Sequence, residues 1–442
     1  MGKFRLTRTV DRADLALVTG RELIDDLKWR GLFAQSTDEA ELIASLDDGP
    51  ISVYIGFDPT APSLHIGNLV VLLGLRRFQL AGHRPIALVG GATGLIGDPS
   101  GRSEERALNE EGVITDWVIR IRGQLEAFLS FDHSPTGAIM ANNLDWTREL
   151  SALELLRDIG KHFSVNQMLS KDSVSTRLTS GGISYTEFSY QVLQALDFLE
   201  LYRREGCTLQ MGGSDQWGNI TAGLDLIRRV EQGSAHALTM NLLMKSDGTK
   251  FGKSAGGAVW LDPEMTSPYA FYQYWFNTDD ADVVNYLKYF SFADHGTIDD
   301  LAAQVRDEPA KRAAQRFLAR EMTTMVHGSS ECEGVEQAAS ALFGQGVLSA
   351  IQEKTLAGAL SQVPRAVIPR GAELPGLIDL LAATGVVESK SAARRTIREG
   401  GAYLNNVKIT DERFVPDQSD LLHGRFLVLR RGKRDVAAIE VS

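Results

Sequence analysis

The sequence predicts an α/β protein whose first part is a doubly wound parallel sheet of the Rossmann-like kind. Strand-like apolar runs alternate with helical patterns over residues 50–240, which favours this fold. The periodicity then becomes purely helical after Pro268 and mixes helices with short strands after Leu374. We therefore expect four segments, which are a Rossmann-like domain at 1–265, a helical domain at 266–345, a linker at 346–374 and a small α+β domain at 375–442.

The elements of the sheet follow in order along the chain. Helical periodicity in residues 1–48 precedes the first predicted strand at 51–55, and a helical pattern over 62–82 leads to a second strand at 85–89. The later predicted elements of this part are helices at 113–128, 151–159 and 185–201 and a strand at 208–211. Ligands of such sheets bind at the carboxyl ends of the strands, so polar motifs there are the first candidates for a site.

Helices alone are predicted after the sheet, and a connector and a mixed unit follow them. The predicted helices are 269–277, 282–290, 298–305, 309–326, 331–342, 377–383 and 389–399, and the predicted strands are 402–404, 407–409 and 425–429. Glycines and prolines between Gly344 and Pro375, with few aromatic residues, predict the connector.

The composition excludes several classes of protein. The 442 residues carry 46 Lys+Arg against 57 Asp+Glu, a net charge of -11, and 43% are hydrophobic, as in a globular protein. No apolar run approaches the roughly 18 residues of a membrane helix and no apolar leader begins the chain, so we expect a cytoplasmic protein. Two distant cysteines, Cys207 and Cys332, predict neither a disulfide framework nor a thiolate metal site.

Polar residues crowd the junction between the first predicted strand and the helix after it. The junction contains Tyr54, Gly56, Asp58, Thr60, His65, Gly67 and Asn68. A glycine lets a ligand approach the backbone, and a helix N-terminus offers N–H groups and partial positive charge that suit a phosphate. A lone histidine is more often a hydrogen-bonded core residue, but its polar neighbours favour a site here.

A glycine-rich loop follows the second predicted strand and contains Asp98. The loop does not match the dinucleotide-binding fingerprint, so its glycines indicate only that backbone lies close to a ligand. Asp98 either caps a turn or binds that ligand, and its place at the carboxyl end of a strand favours binding.

The helix predicted at 185–201 carries a polar stripe. Tyr190, Gln194 and Asp197 share one face because they are spaced i, i+4 and i+7. A solvated face usually contains Lys, Glu or Arg, and residues 188–199 contain none of them. The stripe therefore favours binding of a small polar ligand.

The strand at 208–211 runs into glycines and then into Asp215 and Gln216. Gly213 belongs to this turn, and Asp215 either accepts hydrogen bonds from ribose hydroxyls or caps the next helix. The turn is again at the mouth of the sheet.

A basic loop at 245–254 contains Lys245, Lys250, Lys253 and Ser254. A P-loop needs a glycine where Asp247 stands, so that interpretation fails. A lysine ammonium still stabilises charge on a transferring phosphate as a compact point charge.

These five motifs, in this order, resemble those of the bacterial-type tyrosyl-tRNA synthetases, a family of class I aminoacyl-tRNA synthetases, from about residue 15 onward. Residues 57–68 resemble the first signature of the class, residues 250–254 its lysine loop, and residues 212–219 a stretch typical of the tyrosine enzymes. The resemblance implies two steps: the tyrosine carboxylate attacks the α-phosphate of ATP to give tyrosyl-adenylate and pyrophosphate, and the terminal adenosine of tRNA(Tyr) then accepts the tyrosyl group.

The resemblance also implies roles for the residues of the motifs. The residues implied to bind tyrosine are Tyr54 and Asp197 at its phenol, Asp98, Tyr190 and Gln194 at its ammonium group, and Gln216 beside its carboxyl group. Those implied to bind ATP are Gly56, Asp58, Thr60, His65, Gly67, Asn68, Gly213, Asp215 and Lys253. Those implied to stabilise charge in the transition state are Thr60, His65, Asn68, Lys250, Lys253 and Ser254. ATP is a substrate, Mg²⁺ is expected with its phosphates, and no protein-bound metal or organic cofactor is expected.

The last segment differs from the rest in charge. Residues 375–442 contain 11 Lys+Arg against 9 Asp+Glu, whereas the whole chain is acidic. An acidic chain is a poor nucleic-acid binder as a whole, but this segment resembles a small RNA-binding domain shared with a ribosomal small-subunit protein. The residues implied to bind tRNA are Lys390, Arg394, Arg395, Arg398 and Lys408, with Arg430, Arg431, Lys433 and Arg434 on or after the strands. The family further implies anticodon recognition by residues 266–345 and a homodimer.

Two residues depart from the family pattern. Asn68 stands where the first signature usually has a second histidine, and an amide keeps an N–H donor but never becomes cationic. Ile55 stands where a cysteine is common, so a ribose contact must come from elsewhere, with Asp215 as the candidate.

Two other functions remain open from the sequence. The first is a sister class I enzyme such as the tryptophan synthetase, and the second is a non-catalytic RNA-binding protein that keeps a synthetase-like fold. The lysine loop and the polar helix face argue against the second function. Pyrophosphate exchange that depends on each aromatic amino acid separates all three.

Overall fold

The computed structural model describes residues 18–100, 109–171, 174, 175, 178, 182–246, 251–254, 257–344, 346–432 and 434–442. Residues 1–17, Lys250 and Lys433, for which the sequence makes predictions, lie outside the described residues, and Lys253 and Ser254 are described by their backbone alone. None of the helices in these ranges combines the length and apolarity that a membrane span requires. The chain divides into two compact units, residues 1–261 with 279–314 and residues 262–278 with 315–442.

The first unit contains the large sheet. Its strands are β1 (Phe33–Ser36), β2 (Ser52–Phe57), β3 (Arg84–Val89), β4 (Ile139–Asn142), β5 (Cys207–Gly213) and β6 (His236–Met240), with a short hairpin of β7 (Lys253–Ser254) and β8 (Gly257–Ala258). Its helices before the hairpin are α1 (Gly20–Trp29), α2 (Glu39–Asp47), α3 (Ile66–Leu80), α4 (Thr93–Ile96), α5 (Glu111–Leu125), α6 (Leu144–Thr147), α7 (Ala152–Glu154), α8 (Val165–Leu169), α9 (Tyr185–Glu205) and α10 (Trp217–Glu231).

The six-stranded sheet has the order β1-β6-β5-β2-β3-β4, and every pair is parallel except β1 with β6. The predicted doubly wound fold is confirmed. Strands β1, β4 and β6 were not predicted. For β1 and β4 the reason is that they are four residues long and carry no clear alternation of buried and exposed residues. The helix predicted at 151–159 is instead the short α7 followed by a π-helical turn at 155–159.

Local signals set the ends of α9, the helix that carries the polar stripe. The Ser184 side chain accepts a hydrogen bond from the Glu187 N–H and caps the N-terminus. Gly206 ends the helix with φ 59°, a left-handed conformation that glycine adopts without strain, and β5 begins at the next residue. This tight connection holds the stripe beside the end of the central strand β2.

The remaining helices of the first unit are α12 (Asp280–Phe290) and α13 (His295–Asp307). The elements of the second unit are α11 (Pro268–Phe276), α14 (Ala313–His327), α15 (Ser329–Leu342), α16 (Glu353–Leu360), α17 (Leu377–Ala383), α18 (Lys390–Arg398), β9 (Arg365–Ile368), β10 (Ala402–Leu404), β11 (Val407–Lys408), β12 (Phe426–Arg431) and β13 (Asp435–Val441). The predicted helical domain 266–345 is therefore divided between the two units, and the expected boundary at 265 does not coincide with the observed division at 261.

Residues 346–374, predicted to be a linker, instead contain the helix α16 and the strand β9. Leu356 and Leu360 of α16 are buried, and β9 pairs in parallel with β13 as the edge of a five-stranded sheet of order β11-β10-β12-β13-β9. Pro364 and Pro369 flank β9 on either side, so the prolines mark the ends of a strand rather than an irregular connector.

Candidate active site

The carboxyl ends of β2 and β5 surround a cavity of about 290 Å³. The predicted site residues that line it are Tyr54, Gly56, Asp58, Thr60, His65, Asn68, Asp98, Tyr190, Gln194, Asp197, Gly213, Asp215 and Gln216. Four separate motifs of the sequence therefore meet in one cavity. Gly67 does not line it, and the side chains of Lys250, Lys253 and Ser254 are not among those the structure describes.

Asp197 lies at the buried end of the cavity and is held from two sides. The Asn143 amide donates to its Oδ2 at 2.9 Å and the Trp146 indole N–H donates to its Oδ1 at 2.9 Å. Burial raises the pKa of Asp197 to about 7, although both donors act to lower it. The carboxyl group is thus fixed in direction and is ready to accept a further hydrogen bond from a ligand.

Three polar atoms at this end of the cavity have no hydrogen-bond partner among the described residues. They are the Tyr54 hydroxyl, the Gln194 Oε1 and the Gln210 Oε1. Tyr54 and Gln210 are directly paired across β2 and β5, and each is only 1 to 2% exposed. Leaving a buried polar group unpaired costs free energy, so these atoms indicate that a polar ligand completes the site.

Asp58 organises the next part of the cavity. Its Oδ2 accepts from the Tyr190 hydroxyl at 2.7 Å, and its Oδ1 accepts from the Thr93 hydroxyl at 2.6 Å. Burial, with Asp58 close by, raises the pKa of Tyr190, so its phenol stays neutral. A Cβ at Gly90 would lie 2.0 Å from the Asp58 Oδ1, so the loop glycine makes room for this carboxylate. Asp58 therefore holds Tyr190 and Thr93 in place, and its implied contact with ATP remains a prediction.

Asp98 and Gln216 are joined across the mouth of the cavity. The Gln216 amide donates to the Asp98 Oδ2 at 2.9 Å, and the Ser100 N–H donates to its Oδ1 at 3.0 Å. Gln216 is itself fixed, because its Oε1 accepts from Asn219 at 3.2 Å. Asp98 therefore caps a turn and also lines the cavity, and its implied binding of a ligand remains a prediction.

His65 and Asn68 form the start of α3. The His65 Nδ1 accepts from the Gly67 N–H at 3.0 Å, and the Asn68 Oδ1 accepts from the His65 N–H at 3.0 Å, which makes a reciprocal cap. Burial lowers the pKa of His65, so its ring is neutral and carries its proton on Nε2. The Nε2–H and the Asn68 amide N–H are therefore both donors for an anion at this helix N-terminus.

Gly67 leaves room for the ring of His65. A Cβ at this position would lie 2.7 Å from the Cε1 of His65, so the missing side chain accommodates the imidazole ring. The implied contact of Gly67 with ATP remains a prediction.

The backbone beside the lysine loop is anchored to the start of α3. The Ile66 N–H donates to the Val259 carbonyl at 3.0 Å, and the Val259 N–H donates to the Gly252 carbonyl at 3.2 Å. Gly252 has φ 91°, and a Cβ built on it would lie 3.6 Å from the Gly67 N, so Lys253 directly follows a residue that lies against the start of α3.

The sequence did not predict Thr93, Asn143, Trp146, Gln210 or Leu242, although each holds a site residue or lines the cavity. Asn143 and Trp146 lie just after β4, a strand that the sequence did not indicate. Their position at the carboxyl end of a parallel strand was the signal that could have found them.

The residues implied to bind tRNA also come together. Lys390, Arg394, Arg395 and Arg398 are exposed on α18, whose buried face carries Ala393 and Ile397. Lys408 lies beside them, since a Cβ at Gly400 would be 2.5 Å from its Nζ. Arg430 does not belong to this surface, because it is buried at 7% exposure.

For tyrosine, the substrate that the sequence resemblance implies, we expect the affinity to rise with pH through about 7, the pKa of Asp197. The ionised carboxylate accepts a charge-assisted hydrogen bond from a phenol, whereas the protonated form that prevails at lower pH does not. In Asn143→Ala a donor to the charged form is lost, so the pKa of Asp197 and the midpoint of the profile move to higher pH. Equilibrium dialysis between about pH 5.5 and 8.5 measures this, and Gln216→Ala is the control whose midpoint should not move. A flat profile would contradict the assignment.

A parallel sheet with these side chains at its carboxyl edge, and with a lysine segment held against a histidine-capped helix, is the architecture of a class I aminoacyl-tRNA synthetase. Comparisons with known proteins place the chain within that class. The family model described as "tRNA synthetases class I (W and Y)" matches residues 46–344, and the model of the "Tyrosine--tRNA ligase SYY-like C-terminal domain" matches residues 355–439. The chain belongs to the class I tRNA synthetases of the W and Y family.

Individual relatives agree with this placement. The chain is 60% identical to the tyrosine–tRNA ligase of Streptomyces coelicolor over 95% of its own length and 99% of the relative's. It is 58% identical to that of Thermobifida fusca over 95% and 99% of the two chains. Among solved structures, a C-terminally truncated mitochondrial tyrosyl-tRNA synthetase of Aspergillus nidulans has a TM-score of 0.64 at 29% identity, covering 72% of this chain and 94% of that one.

Proposed function

We propose that the chain is a tyrosine–tRNA ligase that activates L-tyrosine with ATP and transfers the tyrosyl group to tRNA(Tyr). The observation that carries the proposal is the buried end of the cavity, where a fixed carboxylate, Asp197, and an unpaired phenol, Tyr54, face the same space. Relatives that match 95% of the chain are named for tyrosine, which supports this choice over the tryptophan enzyme and over a non-catalytic RNA-binding protein.

The contacts suggest how tyrosine is oriented. Its phenol O–H donates to Asp197 and accepts from the Tyr54 hydroxyl, which satisfies the group left unpaired in the described site. Its ammonium group lies among Asp98, Tyr190 and Gln194, and its carboxylate lies beside Gln216. Because these side chains hold one another through hydrogen bonds, the carboxylate meets the α-phosphate in a fixed position, and positioning is a large part of such catalysis.

The phosphate end of the cavity stabilises charge. Thr60, His65 and Asn68 supply neutral donors around the start of α3, and Lys250 and Lys253 supply positive charge. Mg²⁺ enters with ATP as part of the substrate. Donors placed in advance where negative charge develops lower the barrier without reorganisation.

Charging of tRNA tests the complete reaction. The purified chain with ATP, radiolabelled tyrosine and tRNA(Tyr) should form tyrosyl-tRNA. Product that forms with tryptophan and not with tyrosine would contradict the proposal.

Removal of residues 361–442 should weaken tRNA charging far more than tyrosine activation. The cut after Leu360 keeps α16 and removes the whole five-stranded sheet, whereas a cut at 375 would leave β9 without its partner β13. We expect kcat/KM for tRNA to fall on the order of 100-fold, because one of two linked binding surfaces is lost. Tyrosine-dependent pyrophosphate exchange is the control, and equal losses in both assays would contradict this division of labour.

We also propose that the chain acts in the cytoplasm as a homodimer whose helical residues 266–345 meet the anticodon. Leu153, Leu156, Val165 and Tyr185 are exposed at 58 to 77% on neighbouring segments of the first unit. Such exposure of several large apolar side chains supports the proposal of an interface here. In sedimentation velocity Leu156→Glu should shift the species toward monomer, whereas Val407→Glu in the small domain should not. A wild-type monomer would contradict the dimer.

A further inference from the structure

The small C-terminal domain is attached to α15 by side chains at the C-terminus of that helix. The Asn406 amide donates to the Ala341 carbonyl at 2.6 Å. The Arg430 guanidinium lies against Gly344, just beyond the helix, because a Cβ there would be 2.8 Å from its Nη2. Both side chains come from the five-stranded sheet, so they cross from the small domain to the helical part of the same compact unit.

The Arg430 guanidinium is buried beside groups that stabilise a positive charge. Its guanidinium lies 4.3 Å from the ring of Tyr403 on β10, and it sits beside the negative end of the α15 dipole. Gly344 has φ 86°, and the guanidinium occupies the space that any side chain at this position would need. Arg430 therefore serves packing between the two parts of the unit rather than an exposed RNA-binding face.

Asn406 is presented to α15 by a rigid hairpin. Asn405 and Asn406 have φ 47° and 68°, the conformation of a tight turn between β10 and β11. Asn405 is fixed in turn, because its amide donates to the Asp420 carbonyl at 2.6 Å and its Oδ1 accepts from the Val428 N–H at 2.9 Å. The direction of the Asn406 side chain is thus set by the sheet.

Two further contacts attach the small domain to residues 346–374, the segment that the sequence predicted to be a linker. The His423 Nε2 bonds to the Ile351 carbonyl at 2.8 Å, and Arg425 lies 3.4 Å from the Glu353 carboxylate. In addition, β9 pairs with β13. The segment between α15 and the small domain is therefore held to that domain at Ile351 and Glu353 and again along β9.

We propose that Asn406 and Arg430 are positioning residues that lock the small domain onto α15, so that the basic face of α18 meets tRNA in a preset place. The inference rests on the proposed function. A lock of this kind raises tRNA affinity because less conformational freedom is lost when tRNA binds. Neither Asn406 nor Arg430 contacts tRNA itself.

The test uses the full chain with Asn406→Gly and Arg430→Met. Glycine keeps the positive φ and removes only the amide, and methionine keeps the apolar stem and removes only the guanidinium. The two measurements are the dissociation constant of an in vitro transcribed tRNA(Tyr) at several salt concentrations and hydrogen exchange of residues 343–351 without tRNA. Arg394→Ala, on the exposed basic face, is the matched control.

Both lock variants should bind tRNA about three- to tenfold more weakly. Their plots of log affinity against log salt should keep the wild-type slope, whereas the slope of Arg394→Ala should become shallower by about 0.7 to 0.9 because one phosphate contact is lost. Hydrogen exchange of 343–351 should accelerate in Asn406→Gly and Arg430→Met alone.

Unchanged tRNA affinity in both lock variants, or a shallower slope in Arg430→Met, would overturn the proposal. Unchanged exchange of 343–351 would also overturn it. A wild-type chain that binds no tRNA would defeat the proposed function, and exchange in the tRNA-free chain would still show whether the lock exists.

Discussion

Asp197→Ala should reduce the preference for tyrosine over phenylalanine about 10- to 100-fold in adenylate formation, which corresponds to about 1–3 kcal/mol for the hydrogen bond to a buried group. In the wild type, phenylalanine leaves the Tyr54 hydroxyl without a partner and deprives the buried Asp197 carboxylate of the hydrogen bond from the substrate phenol, and this penalty rejects it. Without the carboxylate, most of the penalty is gone. The ratio of kcat/KM for the two amino acids in pyrophosphate exchange measures the change.

Gln216→Ala is the matched control for this substitution. Gln216 lines the same cavity but is bonded to Asp98 at its mouth, beside a part that tyrosine and phenylalanine share. Its loss should lower both activities together and leave their ratio nearly unchanged. An unchanged ratio in Asp197→Ala would show that the face of α9 does not recognise the phenol.

Lys253→Ala should slow single-turnover formation of tyrosyl-adenylate by about 10²- to 10³-fold, the effect of removing one preorganised donor from a transition state. The backbone beside Lys253 is tied to the start of α3 through Gly252, Val259 and Ile66. We therefore expect the lysine to act where charge develops on phosphate and not where tyrosine is held. Rapid-quench measurement of the adenylate gives the rate, and equilibrium dialysis gives the tyrosine affinity, which should stay nearly the same.

Lys245→Ala is the control for Lys253→Ala, because Lys245 lies at the start of the basic loop 245–254 and has no assigned role. It should retain a rate near that of the wild type. A loss of tyrosine affinity in Lys253→Ala comparable to the loss of rate would instead place Lys253 in the amino-acid pocket.

The positions of the main site residues were predictable because each follows a local rule. Asp215 comes just after β5 and Asp98 lies in the glycine-rich segment that follows β3, and parallel strands bring their carboxyl ends to one edge. Tyr190, Gln194 and Asp197 share a face because helical spacing is regular. These signals lie within about ten residues of the chain, where sequence is informative.

The partners of these residues were not predictable, because they depend on contacts between distant segments. Tyr190 and Asp58 are 132 residues apart, and neither residue alone indicates that they pair. Asn143 and Trp146 follow a four-residue strand without a clear pattern.

The packing role of Arg430 was not predictable either, because it also depends on contacts between distant segments. An arginine in a basic segment suggests RNA binding, and only its packing on Gly344 and Tyr403 shows that it is buried. Burial of a long charged side chain is set by tertiary structure and leaves no local mark in the sequence.

The central claim is that this cavity activates tyrosine with ATP, and pyrophosphate exchange with single amino acids tests it most directly. Labelled pyrophosphate should enter ATP readily with tyrosine, far more slowly with phenylalanine and not measurably with tryptophan. Faster exchange with tryptophan than with tyrosine would contradict the claim in favour of the sister enzyme. Exchange with none of the three would contradict it in favour of a non-catalytic RNA-binding protein.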